Sequence, residues 1–217
     1  MLNLIFGRSK SGKTTYMNQK VVELAKNGEN RILVIVPDQV TFETEKAYLS
    51  LLGAKLSQNV LVLGFSRMCD YVFETTGAIR KAPADDQTKA LLMSIALEEV
   101  KDNLNLYSDK ALNPELAKLM LSARKELSLS GNSKESVLNI AESADELTSA
   151  KLQDVYIASE AMDALLTQSF EDPDAELSIV ADIIRNRKIF DGYYVFIDSY
   201  LRFSAPEVEA VSALMAQ

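Results

Sequence analysis

The chain has 217 residues, 47% of them apolar and 25% charged, with a formal net charge of −8; this is an ordinary globular composition, long enough for one large domain or one domain with a big insertion. It has no His and a single Cys, Cys69, which excludes His-dependent triads, His metal sites, internal disulfides and Cys-ligated zinc or iron–sulfur centres built from this chain alone. The charge is uneven: residues 1–80 hold 10 basic against 7 acidic side chains and residues 81–217 hold 13 against 24, so the second part reads as a solvated acidic surface and anionic ligands are expected to meet the first.

Leu2–Phe6 reads as a short buried strand running into a glycine turn. No basic leader or useful h-region precedes it, and no apolar run approaches the roughly 18 residues of a membrane span. With its lone Cys, the chain is expected in a reducing cytoplasm. Lys13–Lys26 follows as a helix stopped by Asn27-Gly28. Ile32–Val36 is a β-branched strand ended by Pro37. Phe42–Leu52 is helical, with Thr41 as its cap and Gly53 as its stop. Val60–Leu63 is a third strand, and Ser66–Thr75 a helix before Gly77. Strand–helix repeats of this length predict βαβ units and a parallel sheet covered on both faces.

From about Asp85 the strand signals end and amphipathic spacing takes over. Ala90–Val100, Leu116–Leu127, Val137–Ala144, Leu152–Leu166 and Leu177–Ile184 mark successive helices. The predicted fold is therefore α/β, a parallel sheet flanked by helices over 1–80 and 189–217, with an all-helical insert over 81–188. Tyr193–Ile197 resumes the sheet and ends in Asp198. Ser204-Ala205-Pro206-Glu207 then opens a helix with a capping box and Pro in the first turn. That helix meets no stop signal before Gln217, so the sequence is expected to be a piece of a longer protein.

Gly7-Arg8-Ser9-Lys10-Ser11-Gly12-Lys13-Thr14 matches G-x-x-x-x-G-K-[ST], with Thr15 next, between a predicted strand and a predicted helix. The residue types suit phosphate. Gly7 and Gly12 permit the tight turn and leave backbone N–H groups open to oxygens. The helix that follows presents its positive N-terminus. Lys13 is expected at the β and γ phosphates, and the Thr14 hydroxyl on magnesium. Asp198, at the carboxyl end of an apolar strand, is the matching acid, holding the ion through water. The expected ligands are ATP and Mg²⁺. Ser199 stands where many motor ATPases place the Glu that activates water, so binding is better supported than hydrolysis.

The phosphate loop, the stretch Ile32–Lys46 with Pro-Asp-Gln-Val-Thr-Phe inside it, Val62–Met68 with Phe-Ser-Arg, and Asp198–Glu207 occur in an order that resembles the first motor domain of superfamily-one helicases. More closely, the whole chain resembles the N-terminus of the AddB/RexB family, the B subunits of bacterial ATP-dependent helicase/deoxyribonucleases. That resemblance implies a P-loop NTPase (RecA-like) fold in a subunit several times longer. It also implies an iron–sulfur nuclease domain elsewhere in that subunit, and a partner A subunit carrying the main motor. The implied role is processing of broken double-stranded DNA for recombinational repair, this subunit reading single-stranded DNA rather than driving along it. Carried onto these residues, it makes Gln39, Thr41, Phe65, Arg67 and Phe203 candidates for DNA contact, through amide, hydroxyl, guanidinium and stacking faces. Three have plain structural alternatives: a helix cap for Thr41, core for Phe65, a solvated charge for Arg67. Cys69 is expected to be a buried small hydrophobe. Taken alone, the chain is expected to be neither a nuclease nor an active ATPase.

Two other readings compete. A stand-alone phosphate-loop kinase of a nucleotide or small metabolite would need a basic lid, and the only dense basic cluster in the acidic insert is Arg185, Arg187 and Lys188. A nucleotide-gated interaction module would use the insert as a partner surface. A GTPase is disfavoured because no N-K-x-D motif follows a strand.

Overall fold

Strand β1 (Ile32–Ile35) is wholly buried and forms the centre of a three-stranded sheet. It pairs in parallel with β2 (Val60–Leu63) on one side and β5 (Tyr194–Ile197) on the other, with Ile32 opposite both Val60 and Tyr194. The computed structural model describes residues 2–130, 134–173 and 175–217. Side-chain alternation along the strands divides the core into two layers. Ile32, Val34, Val36, Val60 and Val62 pack with Met17, Val21 and Ala25 of helix α1 (Lys13–Lys26) and Tyr48 of α2 (Thr41–Leu56). Leu33, Ile35 and Leu63 face the other way, onto α3 (Phe65–Thr76), α8 (Glu176–Arg187) and α9 (Ala205–Met215). Burial on both faces is why these strands read as continuous apolar runs.

The chain divides into two compact units: Met1–Ala78 with Leu177–Phe203 and Glu207–Gln217, and Ile79–Glu176 with Ser204–Pro206. The second is helical. Helices α4 (Asp86–Val100), α5 (Pro114–Ser130), α6 (Lys134–Ser143) and α7 (Glu146–Ser169) pack together, with Met93, Leu97, Leu116, Met120 and Met162 in their core. Asp85 and Asp145 cap α4 and α7 by accepting from the N–H groups of Thr88 and Thr148 at 2.7 and 3.0 Å. Asp154, fully buried, accepts from the backbone N–H groups of Asn105, Leu106 and Tyr107 at 2.6, 2.8 and 3.1 Å, holding the α4–α5 connection.

Four sequence expectations need correction. Leu2–Phe6 forms no strand. It lies outside regular structure with Leu2 and Phe6 61% and 85% exposed, because no strand pairs with it among the described residues. The insert is not purely helical: two-residue strands β3 (Ala82–Pro83) and β4 (Phe170–Glu171) pair in parallel, too short to leave a periodic signal. Residues 177–187 belong with the sheet, since Val180, Ala181 and Ile184 of α8 bury against it. Gly53 does not end α2 but interrupts it, at φ 73° and ψ 170°, and the helical stretch runs on to Leu56.

Candidate functional site

The loop Gly7–Gly12 leads directly into α1 and is exposed throughout. Its course depends on two left-handed residues, Lys10 at φ 61° and Gly12 at φ 87°. Gly12 occupies the cap position with no side chain satisfying the first N–H groups of α1. Those donors point out of the helix toward the loop, as in any α-helix. At Gly7 a Cβ would meet the Ser11 hydroxyl, which would have to rotate away. The Lys13 ammonium reaches back across the loop and donates to the carbonyls of Gly7 and Arg8 at 2.9 and 2.8 Å. An ammonium has three donors, so one remains for an anion seated in the loop.

Thr14 is separated from Asp198 by 184 residues, yet its hydroxyl donates to Asp198 Oδ2 at 2.6 Å. Asp198 directly follows β5 and Thr14 is the second residue of α1, so this bond brings the carboxyl end of β5 to the start of α1. A hydroxyl and a carboxylate oxygen at this separation form a hard-oxygen pair suited to Mg²⁺. The two sequence-predicted magnesium residues therefore meet. Among the described residues no group of three or more Cys, Asp or Glu is placed to bind a metal, so any such ion would depend on phosphate and water for its other ligands.

Beside this pair lies a cavity of about 250 Å³ lined by Thr14, Met17, Asn18, Val36, Val40, Glu43, Thr44, Ala47, Tyr48, Asp198 and Ser199. Its far wall is one face of α2 together with the residue before it: Val40, Glu43, Thr44, Ala47 and Tyr48 recur at i, i+3, i+4, i+7 and i+8. The buried Tyr48 hydroxyl donates to Asn18 Oδ1 at 2.7 Å and ties α2 to α1. Burial, then the charge of Asp198, raises the Tyr48 phenol well above its usual range, so it stays a neutral donor. Ser199 itself has a left-handed backbone, φ 68°.

The predicted nucleic-acid residues divide. Gln39 is exposed. Thr41 is 5% exposed and donates to the Asp38 carbonyl at 2.9 Å, so its hydroxyl is spent locally. Arg67 is half exposed and paired with Glu45 at 2.7 Å. Phe65 is 5% exposed: its ring lies under Tyr200 and Phe203, with centroids 5.3 and 6.3 Å away, and offers no open face. Phe203 is 40% exposed and stacks on Tyr200 at 5.0 Å and 29°. Sequence reasoning missed Tyr200, although its place between Ser199 and Phe203 marked it as part of the same loop. It also missed Asp38, which accepts from Ser66 at 3.0 Å and approaches Gly64 so closely that a Cβ there would strike it. The basic cluster 185–188 is used within the fold: Arg187 donates to the Thr76 carbonyl at 2.9 Å and Arg185 pairs with Asp182 at 2.6 Å.

The family model described as "ADDB, N-terminal" matches residues 4–217. Among curated proteins the chain is similar to the B subunit of the ATP-dependent helicase/deoxyribonuclease of Clostridium tetani (strain Massachusetts / E88), 26% identical over 219 residues and 99% of this chain. It is similar to the same-named protein of Clostridioides difficile (strain 630), 26% identical over 219 residues, and of Clostridium perfringens (strain 13 / Type A), 24% identical over 218 residues, each again over 99% of this chain. In each case the chain spans 19% of the relative's length. On the match across residues 4–217, this chain belongs to the AddB N-terminal family.

Proposed function

We propose that this chain is the ATP-binding N-terminal part of the B subunit of a helicase/deoxyribonuclease, a P-loop NTPase (RecA-like) domain that serves double-strand-break repair by recombination. The observation that carries the nucleotide reading is the 2.6 Å bond between Thr14 and Asp198, residues far apart in sequence that the phosphate-loop chemistry requires together. The loop's open N–H groups and Lys13 would cradle the phosphates, and Thr14 with Asp198 would hold Mg²⁺, which supplies charge neutralisation when bound. The partner is an A subunit and the polymer is single-stranded DNA from a broken duplex. Phe203 and Tyr200 support the single-strand reading as a stacked, partly open aromatic pair near the nucleotide loop; Gln39 and Arg67 would add polar contacts, and Phe65 a floor beneath the pair. An iron–sulfur centre falls outside this role, because the one Cys, Cys69, is buried in the core beside the sheet. No helix among the described residues is long and apolar enough to cross a membrane. The kinase alternative is weakened because Arg185 and Arg187 are engaged inside the fold rather than free to form a lid.

The test is titration calorimetry of ATP with Mg²⁺ against the wild type and Lys13→Ala. We expect binding by the wild type and a loss of at least tenfold in the variant. Equal affinities would refute the assignment of Gly7–Thr15 as the nucleotide loop.

A further inference from the structure

Two crossings fix the hand of the three-stranded sheet. The chain passes from β1 to β2 through α2, which packs on the Ile32–Val34–Val36 face together with α1. It returns from β2 to β5 by way of α3 and α8, which pack on the opposite face. Because β1 lies between β2 and β5, the two crossings run in opposite directions on opposite faces and share one hand, the right-handed one of parallel strands. The same hand places the two connections that remain open. Helix α1 lies on the first face and leads into β1, so Leu2–Phe6 before it belongs on the side of β1 away from β2, outboard of β5. Helix α9 follows β5 on the second face, so a strand after α9 also belongs outboard of β5.

That edge of β5 is unpaired among the described residues. The Tyr194 and Asp198 N–H groups donate to the Arg31 and Ile35 carbonyls at 2.8 and 3.1 Å; by alternation, the N–H groups of Val195 and Ile197 point outward. Val195, Phe196 and Ile197 stay half-buried where their partners Leu33, Val34 and Ile35 are fully buried. Val208 and Met215, one heptad apart on α9, are 50% and 60% exposed, although α9 is apolar nearly all round, as a buried helix is. Leu2, Leu4, Ile5 and Phe6 are exposed as well, and an apolar run of that kind is suited to cover on both faces.

We propose that the outer edge of β5 receives a strand from the remainder of the B subunit, the first one after α9, lying parallel between β5 and Leu2–Phe6; this rests on the B-subunit reading above. The chain spans 19% of the length of its relatives, which leaves ample chain to supply it. With α9 covering one face and sheet on both sides, the strand is expected to be a run of about 4–6 apolar, mostly β-branched residues, beginning about 2–6 residues after the helix. Leu2–Phe6 is tethered to the same edge, since the loop it enters leads to Thr14 and so to Asp198. It nevertheless leaves β5 unpaired, whereas a direct neighbour of β5 would pair there unaided. Bound against the inserted strand, Leu2–Phe6 becomes a strand itself.

The test uses the intact B subunit, expressed from its own gene, beside the 217-residue chain. Amide hydrogen exchange is read by mass spectrometry with residue-level fragmentation. Val195 and Ile197 should exchange at least 100-fold more slowly in the intact subunit, and Leu4 and Ile5 should gain protection with them. Oxidative cross-linking then identifies the neighbour. Phe196→Cys is combined with cysteine at each position of the first apolar run after α9, and separately with Leu4→Cys and with Ile5→Cys; disulfides are located by peptide mapping. Adjacent strands lie about 4.8 Å apart and next-but-one strands about 9.6 Å, beyond the roughly 7 Å between Cα atoms that a disulfide spans. We expect a disulfide with one position of the run and none with Leu4→Cys or Ile5→Cys, each variant melting with the wild type before oxidation. A disulfide from Phe196→Cys to Leu4→Cys or Ile5→Cys makes Leu2–Phe6 the direct neighbour and overturns the proposal. So does the absence of any disulfide with the run, or Val195 and Ile197 amides that exchange equally fast in both proteins. A gene that encodes no chain after α9 overturns the B-subunit reading itself.

Discussion

Replacing Thr14 by Val separates the two jobs of its hydroxyl, because valine keeps the shape and removes the donor. In the free chain the loss is one hydroxyl–carboxylate bond of 2.6 Å. Bonds to charged groups contribute about 1.5–3 kcal/mol, but Thr14 is exposed and Asp198 only half-buried, so screening lowers this to about 0.5–1 kcal/mol. At about 2–4 °C per kcal/mol for a chain of this size, the free variant should melt no more than about 4 °C below wild type. With magnesium the hydroxyl becomes a ligand, and its loss should weaken ATP·Mg binding by about 10- to 100-fold, or 1.4–2.8 kcal/mol. At a nucleotide concentration of about 100 wild-type dissociation constants, wild type gains about 2.7 kcal/mol from binding. At the same concentration the variant should gain only about 0.4–1.4 kcal/mol. Scanning calorimetry with ATP and either Mg²⁺ or EDTA reads both effects. In EDTA the variant and wild type should gain equally from ATP. If Thr14→Val retains the full magnesium-dependent shift, Thr14 is not an ion ligand and its bond to Asp198 is only structural.

Three further substitutions test the aromatic loop and the helical unit. Phe65→Ala should destabilise the sheet unit by about 3–5 kcal/mol in denaturant unfolding, as for a buried aromatic. Phe203→Ala should leave stability within about 1 kcal/mol while weakening oligo-dT binding about 5- to 150-fold in fluorescence anisotropy, which corresponds to the stacking of one base; a fully stable Phe65→Ala chain would contradict the burial argument. Asp154→Ala strands three backbone N–H groups at once. It should cost about 3–5 kcal/mol, visible as early loss of amide protection in α4 and α7, and retention of that protection would show that water replaces the carboxylate.

Much of the sheet unit was legible because its signals are local. Ile32–Val36 and Val60–Leu63 are apolar runs bounded by Pro37 and Gly64, and both are strands. Lys13–Lys26 is a helix with its predicted bounds. Leu2–Phe6 carries the same apolar signal and failed, because a strand is a pairing and not a property of five residues. The β3–β4 ladder failed in the opposite sense: its two-residue strands are held by chain ends that the helices bring together, and no periodicity can record that. The pairing of Thr14 with Asp198 was predictable from motif logic alone, since the chemistry of a phosphate loop demands an acid at a strand end.

Phe65 and Phe203 show why the aromatic loop resisted the same treatment. Both are phenylalanines that follow a strand within a few residues, and sequence assigns both the same stacking face. Their difference comes from what packs around each, and Tyr200 is a neighbour of both. Tyr200 is raised above its usual phenolic range, first by burial and then by the charges of Asp38 and Glu207, so it stays a neutral ring. That ring touches both phenylalanines, Phe65 at 5.3 Å and Phe203 at 5.0 Å, and the two phenylalanines are themselves 6.3 Å apart. Phe65 opens α3 and packs into the core beside the sheet, whereas Phe203 keeps 40% of its surface open. Between the end of β5 and Tyr200 the chain passes through Ser199, whose backbone is left-handed at φ 68°. The left-handed residue just before the aromatic pair is thus also the one next to the candidate magnesium acid. A serine there keeps a turn that a bulkier β-branched side chain would oppose.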